Sequence, residues 1–107
     1  DRGQIDDATR CYRRAVQLDP RDYNSWTQLS AVLLRKHDPE AALEAVDRAL
    51  ALNPDFPLAL NNRGAVFQRT GRHREALAMF EAAIEAEARN GMESAGTYNN
   101  RGFEHLR

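Results

Sequence analysis

Gln28, Asn62 and Asn100 recur at steps of 34 and 38 residues, and Arg35, Arg69 and Arg107 recur at the same steps. A carboxamide both donates and accepts hydrogen bonds, so a column of three can pair with the backbone of an extended polypeptide whatever its side chains. A guanidinium presents a planar fork that fits a carboxylate or a phosphate. Set along one trough, the two columns would suit an extended segment, an acidic one included. Each column also has a plainer explanation. Arginine is favoured near a helix C-terminus by the macrodipole and the exposed carbonyls. Asparagine is a poor helix former, so its recurrence inside a helix calls for a reason, and packing or solvation could supply one as well as a ligand.

Other reactive residue types are not arranged for chemistry. His37, His73 and His105 are too far apart in sequence for any pair to share one helix at ligand spacing, so neither a metal nor a cofactor is expected. There is no Gly-rich phosphate loop, no nucleophile motif and no Ser/His/Asp arrangement, so no catalytic residues are assigned and an enzyme is not expected. Glu81, Glu85 and Glu87 read as a solvated outer face. The net charge of -1 provides no long-range field for nucleic acid or an anionic membrane. Cys11 is the only cysteine, which rules out an internal disulfide; it is expected as a small buried residue on a helix, and a reducing cytoplasmic compartment fits. No apolar run approaches the roughly 18 residues a bilayer demands, and Asp1-Arg2-Gly3-Gln4 does not open a signal peptide, so the chain is expected to be soluble, without membrane insertion.

The elements that must carry these columns follow from a repeat. At 107 residues, with 42% hydrophobic and 29% charged, the chain is apolar enough to fold and long enough for one unit with a continuous core. Ala8, Ala42 and Ala76 are spaced by 34 residues, as are Ala15, Ala49 and Ala83, the large column Tyr12, Val46 and Phe80, and the pair Pro20 and Pro54. Leu60-Asn-Asn-Arg-Gly64 returns as Tyr98-Asn-Asn-Arg-Gly102 after 38 residues, which places an insertion near Arg89-Asn90-Gly91-Met92 and a loop at Asn90-Gly91. Each period reads as two helices. Trp26, Leu29, Leu33 and Leu34 form one stripe over about 23–35, and they and Tyr98 are core residues rather than platforms for stacking bases. The second helix runs from Pro39 to about Leu52, with Asp38 as N-cap, Pro39 at the first helical position, and a small column of Ala42, Ala45 and Ala49 that admits a close neighbour. Asn53-Pro54 stops it.

These columns resemble the tetratricopeptide repeat. Trp26…Leu29-Ser30…Leu33, Ala42…Val46…Ala49 and Pro54 carry the likeness in one unit, and Leu60…Gly64…Phe67, Gly71 and Ala76…Phe80…Ala83 carry it in the next. Arg63 and Arg101 stand where the pattern favours leucine, His37 and Pro39 replace a glycine and an aromatic, and Ala88 replaces the closing proline. The resemblance implies an all-α solenoid of helical hairpins, a right-handed superhelix of about six helices. Its parts would be 1–20 as the second helix of a first unit, 21–54 as a full unit, 55–92 as a full unit with the insertion, and 93–107 as the first helix of a further unit, the whole being a piece of a longer array.

The resemblance also implies where function would lie, on a concave wall lined by the first helix of each unit. The residues facing away from the stripe are Asn24, Thr27, Gln28, Ala31 and Arg35, then Leu58, Asn61, Asn62, Ala65 and Arg69, then Asn99, Asn100, Phe103 and Arg107. The partner-binding set is Gln28, Arg35, Asn61, Asn62, Arg69, Asn99, Asn100 and Arg107. Family members that clamp chaperone tails use Lys, Asn, Asn, Lys and Arg at columns that here hold Thr27, Ala31, Asn62, Gly96 and Asn100. Only Asn62 agrees, so a chaperone tail is not the expected partner. The leading expectation is a non-catalytic scaffold for a protein or peptide. A docking or regulatory array of a larger enzyme is a second reading, and self-association through Tyr98, Phe103 and Leu106 of an unpaired last helix is a third.

Overall fold

The computed structural model describes residues 2–98, with side chains over residues 3–90. They form five helices and no strand: α1 (Arg2–Leu18), α2 (Tyr23–Arg35), α3 (Pro39–Leu52), α4 (Pro57–Arg69) and α5 (His73–Tyr98).

The helix starts follow the capping signals. The Asp22 carboxylate accepts from the Ser25 amide at 3.2 Å and from its hydroxyl at 2.7 Å, opening α2. Asp38 accepts from the Ala41 amide at 3.2 Å, with Pro39 in the first turn of α3, as expected. Helix α4 has no side-chain cap but does have a proline in its first turn, and Phe56 before it meets Tyr23 edge-on at 5.1 Å between ring centroids.

Helices α2 and α4 end in the same way. The Asp38 amide donates to Leu33 and the His37 amide to Leu34; one repeat later the Arg72 amide donates to Phe67 and the Gly71 amide to Gln68. Both are Schellman closures, which require a left-handed residue just after the cap. Gly71 takes that place with φ 81°, and His37 takes it with φ 65°.

Helix α5 departs from the expectation. The spacing predicts a loop at Asn90-Gly91, but α5 runs through it for 26 residues. Ala82 to Arg89 are strong helix formers, Ala88 stands where proline closes the earlier units, and a lone glycine costs only about 1 kcal/mol. Nothing in this stretch stops the helix. Five helices are therefore described rather than about six, and the last expected one begins inside α5 and otherwise lies outside the described residues.

Packing follows the small and large columns. Ala42, Val46 and Ala49 of α3 are wholly buried; Ala42 shares a core with Leu29, Leu33 and Leu34 of α2, and Val46 and Ala49 share one with Ala59 of α4. Burying each such branched side chain is worth about 1.5–3 kcal/mol. Ser30, also wholly buried, donates to the Ala42 carbonyl at 2.8 Å, so its hydroxyl is satisfied. Gly64 holds the equivalent position in the next hairpin. A Cβ there would sit 2.7 Å from Cε1 of Phe80, so the larger ring at Phe80 requires the glycine. Arg63 replaces the expected leucine without loss of packing: its Nε donates to Asp47 at 2.8 Å while its guanidinium lies over the Phe67 ring at 4.9 Å. Trp26 is half-buried, its indole N–H donating to the Pro20 carbonyl at 2.8 Å. Cys11 is exposed rather than buried, because it faces outward from α1 beside the half-buried Tyr12.

The helices lie in two layers. Helix α2 packs on α3 and α4 on α5 as hairpins, α1 leans on α2, and α3 leans on α4. Helices α2 and α4 touch each other, whereas among the described residues α1, α3 and α5 do not meet. The layer of α2 and α4 is therefore the tighter one and lies on the inside of the curve.

Candidate functional site

The inner layer carries the sequence-derived columns. Asn62 is half-buried on α4, and its Nδ2 donates to the Thr27 carbonyl of α2 at 3.1 Å. Arg69 is exposed, and its Nη1 donates to the Leu34 carbonyl at a long 3.4 Å. Both bonds span 35 residues, one repeat plus one. They bring Asn62 level with Gln28, the residue after Thr27, and Arg69 level with Arg35, the residue after Leu34. Each column is thus continuous across the α2/α4 seam. Gln28 is half-buried, while Arg35 and Asn61 are exposed. Asn99, Asn100 and Arg107 lie outside the described residues.

The recurrence of asparagine has a structural component that its spacing alone did not show. Asn62 joins two inner helices through a carbonyl's second lone pair, and its other amide proton and its own oxygen take part in no other described hydrogen bond. Arg69 meets a last-turn carbonyl of α2, where the helix dipole favours a cation. Thr27, which the register places on the concave face, is instead wholly buried in the seam, its hydroxyl donating to the Tyr23 carbonyl at 2.8 Å. It belongs to packing and not to the wall.

Charge is unevenly distributed between the layers. Helices α2 and α4 contain no aspartate or glutamate, and they carry Arg35, Arg63 and Arg69. The acids among the described residues lie on α1, α3 and α5 and in the turns. Ion pairs join Lys36 to Asp6, Arg63 to Asp47, Arg72 to Glu75, Arg89 to Asp55 and Arg10 to Asp7. Among the described residues neither Arg35 nor Arg69 pairs with a carboxylate. Shifted acids lie off the wall. The Ser25 hydroxyl and amide hold the Asp22 carboxyl below its ordinary range, and the Arg72 guanidinium does the same for Glu75. The absence of acids from the 23–35 and 57–69 segments is legible in the sequence and was the signal passed over there. Two concavities lie away from the wall, one lined by Pro20, Trp26, Arg48 and Leu52, the other by Ile5, Asp6, Lys36 and His37. Among the described residues no cluster of His, Cys, Asp or Glu could hold a metal ion, and no helix is long and apolar enough to cross a membrane.

A curved stack of helical hairpins whose inner helices present polar side chains has the architecture of a solenoid scaffold. Models of the tetratricopeptide repeat match residues 29–95 and 1–55, and the chain belongs to that family. Among relatives, the peroxisomal targeting signal receptor of Candida glabrata is 30% identical over 112 residues, covering 94% of this chain and 19% of the receptor. Superkiller complex protein 3 of Mus musculus is 31% identical over 83 residues, covering 78% of this chain and 5% of that protein. Solved structures of MamA share the fold. One matches with a TM-score of 0.75 at 23% identity over 81% of this chain and 50% of that one, and another with a TM-score of 0.75 at 22% identity over 83% and 52%. The chain thus spans about half the length of these solved structures and less than a fifth of the two relatives.

Proposed function

We propose that this chain is a non-catalytic scaffold that holds an extended, acidic polypeptide segment along the wall formed by α2 and α4. The observation that carries the reading is the charge layout: the two inner helices hold no acid, and Arg35 and Arg69 have no carboxylate partner among the described residues, in a chain whose net charge is -1. The carboxamides of Gln28, Asn61 and Asn62 would pair with the guest's backbone, and the arginines with its carboxylates. The names of two relatives, a targeting-signal receptor and a member of a complex, support a role in holding other molecules.

A labelled ten-residue peptide rich in glutamate, and its glutamine counterpart, test this by fluorescence anisotropy. The acidic peptide should bind more tightly, with affinity falling as salt rises. Arg35→Glu with Arg69→Glu should weaken it by roughly tenfold or more while helicity is kept. Equal binding of both peptides, or equal binding by the variant, would rule out the wall as the site.

A further inference from the structure

The wall of α2 and α4 has two edges of opposite sign. The turns that close the hairpins, 35–38 and 69–72, carry Arg35, Lys36, Arg69 and Arg72 against Asp38 alone, which caps α3. The turns between hairpins, 19–22 and 53–56, carry Asp19, Asp55 and the α2 cap Asp22 against Arg21 alone. Ion pairs offset part of each edge, joining Lys36 to Asp6, Arg72 to Glu75 and Asp55 to Arg89. Among the described residues, Arg35 and Arg69 at one edge and Asp19 and Asp22 at the other have no ion-pair partner. The ties from Asn62 to Thr27 and from Arg69 to Leu34 share one offset, so α2 and α4 run in the same direction. The basic edge therefore lies at the C-terminal ends of both inner helices and the acidic edge at their N-terminal ends.

Strand geometry turns this polarity into a pattern. Gln28 and Asn62 stand level across the seam, so an extended guest whose backbone meets both must cross the two helices. In such a strand the N–H and C=O groups lie in one plane, and successive side chains stand out of it to opposite sides. With its backbone groups turned down onto the carboxamides, the guest aims its side chains alternately at the two ends of the inner helices. Toward one end, Arg35 and Arg69 lie about 10.5 Å beyond the carboxamides, a gap that an arginine and a glutamate side chain bridge together. Toward the other, Asn24 and Leu58 are exposed about 6 Å before the carboxamides, with Asp19 and Asp22 in the turn that precedes α2. A lysine suits that side, its stem over Leu58 and its ammonium toward the aspartates. We propose that the guest is a strand in which acidic and basic residues alternate, the acids facing Arg35 and Arg69 and the bases facing the Asp19 edge. The inference rests on the wall reading above and narrows its acidic guest to one that is acidic on one side only.

Two labelled peptides of one composition separate pattern from charge. One repeats Glu-Lys four times, the other repeats Glu-Glu-Lys-Lys twice, and both are neutral overall. In fluorescence anisotropy at low salt the alternating peptide should bind roughly tenfold more tightly, the sum of several exposed charge pairs. Asp19→Lys, at an exposed turn position, should weaken the alternating peptide by roughly threefold without weakening the glutamate-rich peptide. Equal binding of the two neutral peptides, or an alternating peptide indifferent to Asp19→Lys, would overturn the alternation. If Arg35→Glu with Arg69→Glu still released the glutamate-rich peptide in that case, the wall reading would stand without it. Failure of all three peptides to bind would overturn both.

Discussion

Two helix ends with one hydrogen-bond pattern and different residues make a controlled comparison. His37 holds φ 65° where Gly71 holds φ 81°. A residue with a Cβ in this left-handed region costs about 1–2 kcal/mol. Glycine removes that cost but frees the unfolded chain, which takes back about 0.4–1 kcal/mol. His37 is exposed and brings no core burial, so His37→Gly should stabilise the chain by about 1 kcal/mol. Gly71→Ala should do the reverse by a similar amount. A Cβ at Gly71 would meet nothing within 4 Å, so its penalty is in the backbone alone. The two sites close different hairpins, and their effects should add to near zero in the double variant. Urea unfolding followed by circular dichroism reads the change, which corresponds to about 4 °C in Tm. Because repeat arrays can unravel unit by unit, amide exchange at Asp38 and Arg72 should report each closure separately. If His37→Gly were neutral or destabilising, the backbone reasoning would be refuted, and the imidazole would have to contribute through the concavity it lines with Ile5, Asp6 and Lys36.

Gly64→Ala should destabilise by about 1–3 kcal/mol, since its Cβ would lie 2.7 Å from the Phe80 ring, and adding Phe80→Leu should recover part of the loss in thermal unfolding. Asp22→Ala removes the α2 cap and should cost about 1 kcal/mol near neutral pH. The folded state holds the Asp22 pKa below its ordinary value of 3.8, so this stability is present above that value and disappears as pH falls through the folded one. Urea titrations across that range should show the two proteins converging; a gap independent of pH would refute the carboxylate's part.

The bounds of α3 coincide with those expected because every signal agreed there, a capping aspartate, a proline in the first turn, a column of small apolar residues and an Asn-Pro stop, while those of α2 followed from its apolar stripe. The end of α5 was misread because a slip in register implies extra residues without saying whether they form a loop or more helix. Missing proline and abundant alanine favour helix. Thr27 was placed on the wall by angular position alone, yet one residue's rotation around α2 separates the half-buried Gln28 from the closed seam. The role of Asn62 as a tie between inner helices is a long-range hydrogen bond, invisible in a local pattern, although its 35-residue span nearly matches the repeat. The described members of the columns lie on α2 and α4, and the structure shows that two of them, Asn62 and Arg69, tie these helices together.

Among the described residues α1, α3 and α5 do not meet, so no direct contact between outer helices opposes a change in curvature. Bending is restrained where each outer helix leans on the next inner one, α1 on α2 and α3 on α4, and along the inner seam by the contact of α2 with α4 and the two ties from Asn62 and Arg69. Such a body behaves like a strip whose outer edge is its freer one, able to tighten or relax around guests of different girth. A guest lying across both inner helices would therefore act as a clasp, and its grip would be felt as stiffness at the distant outer edge.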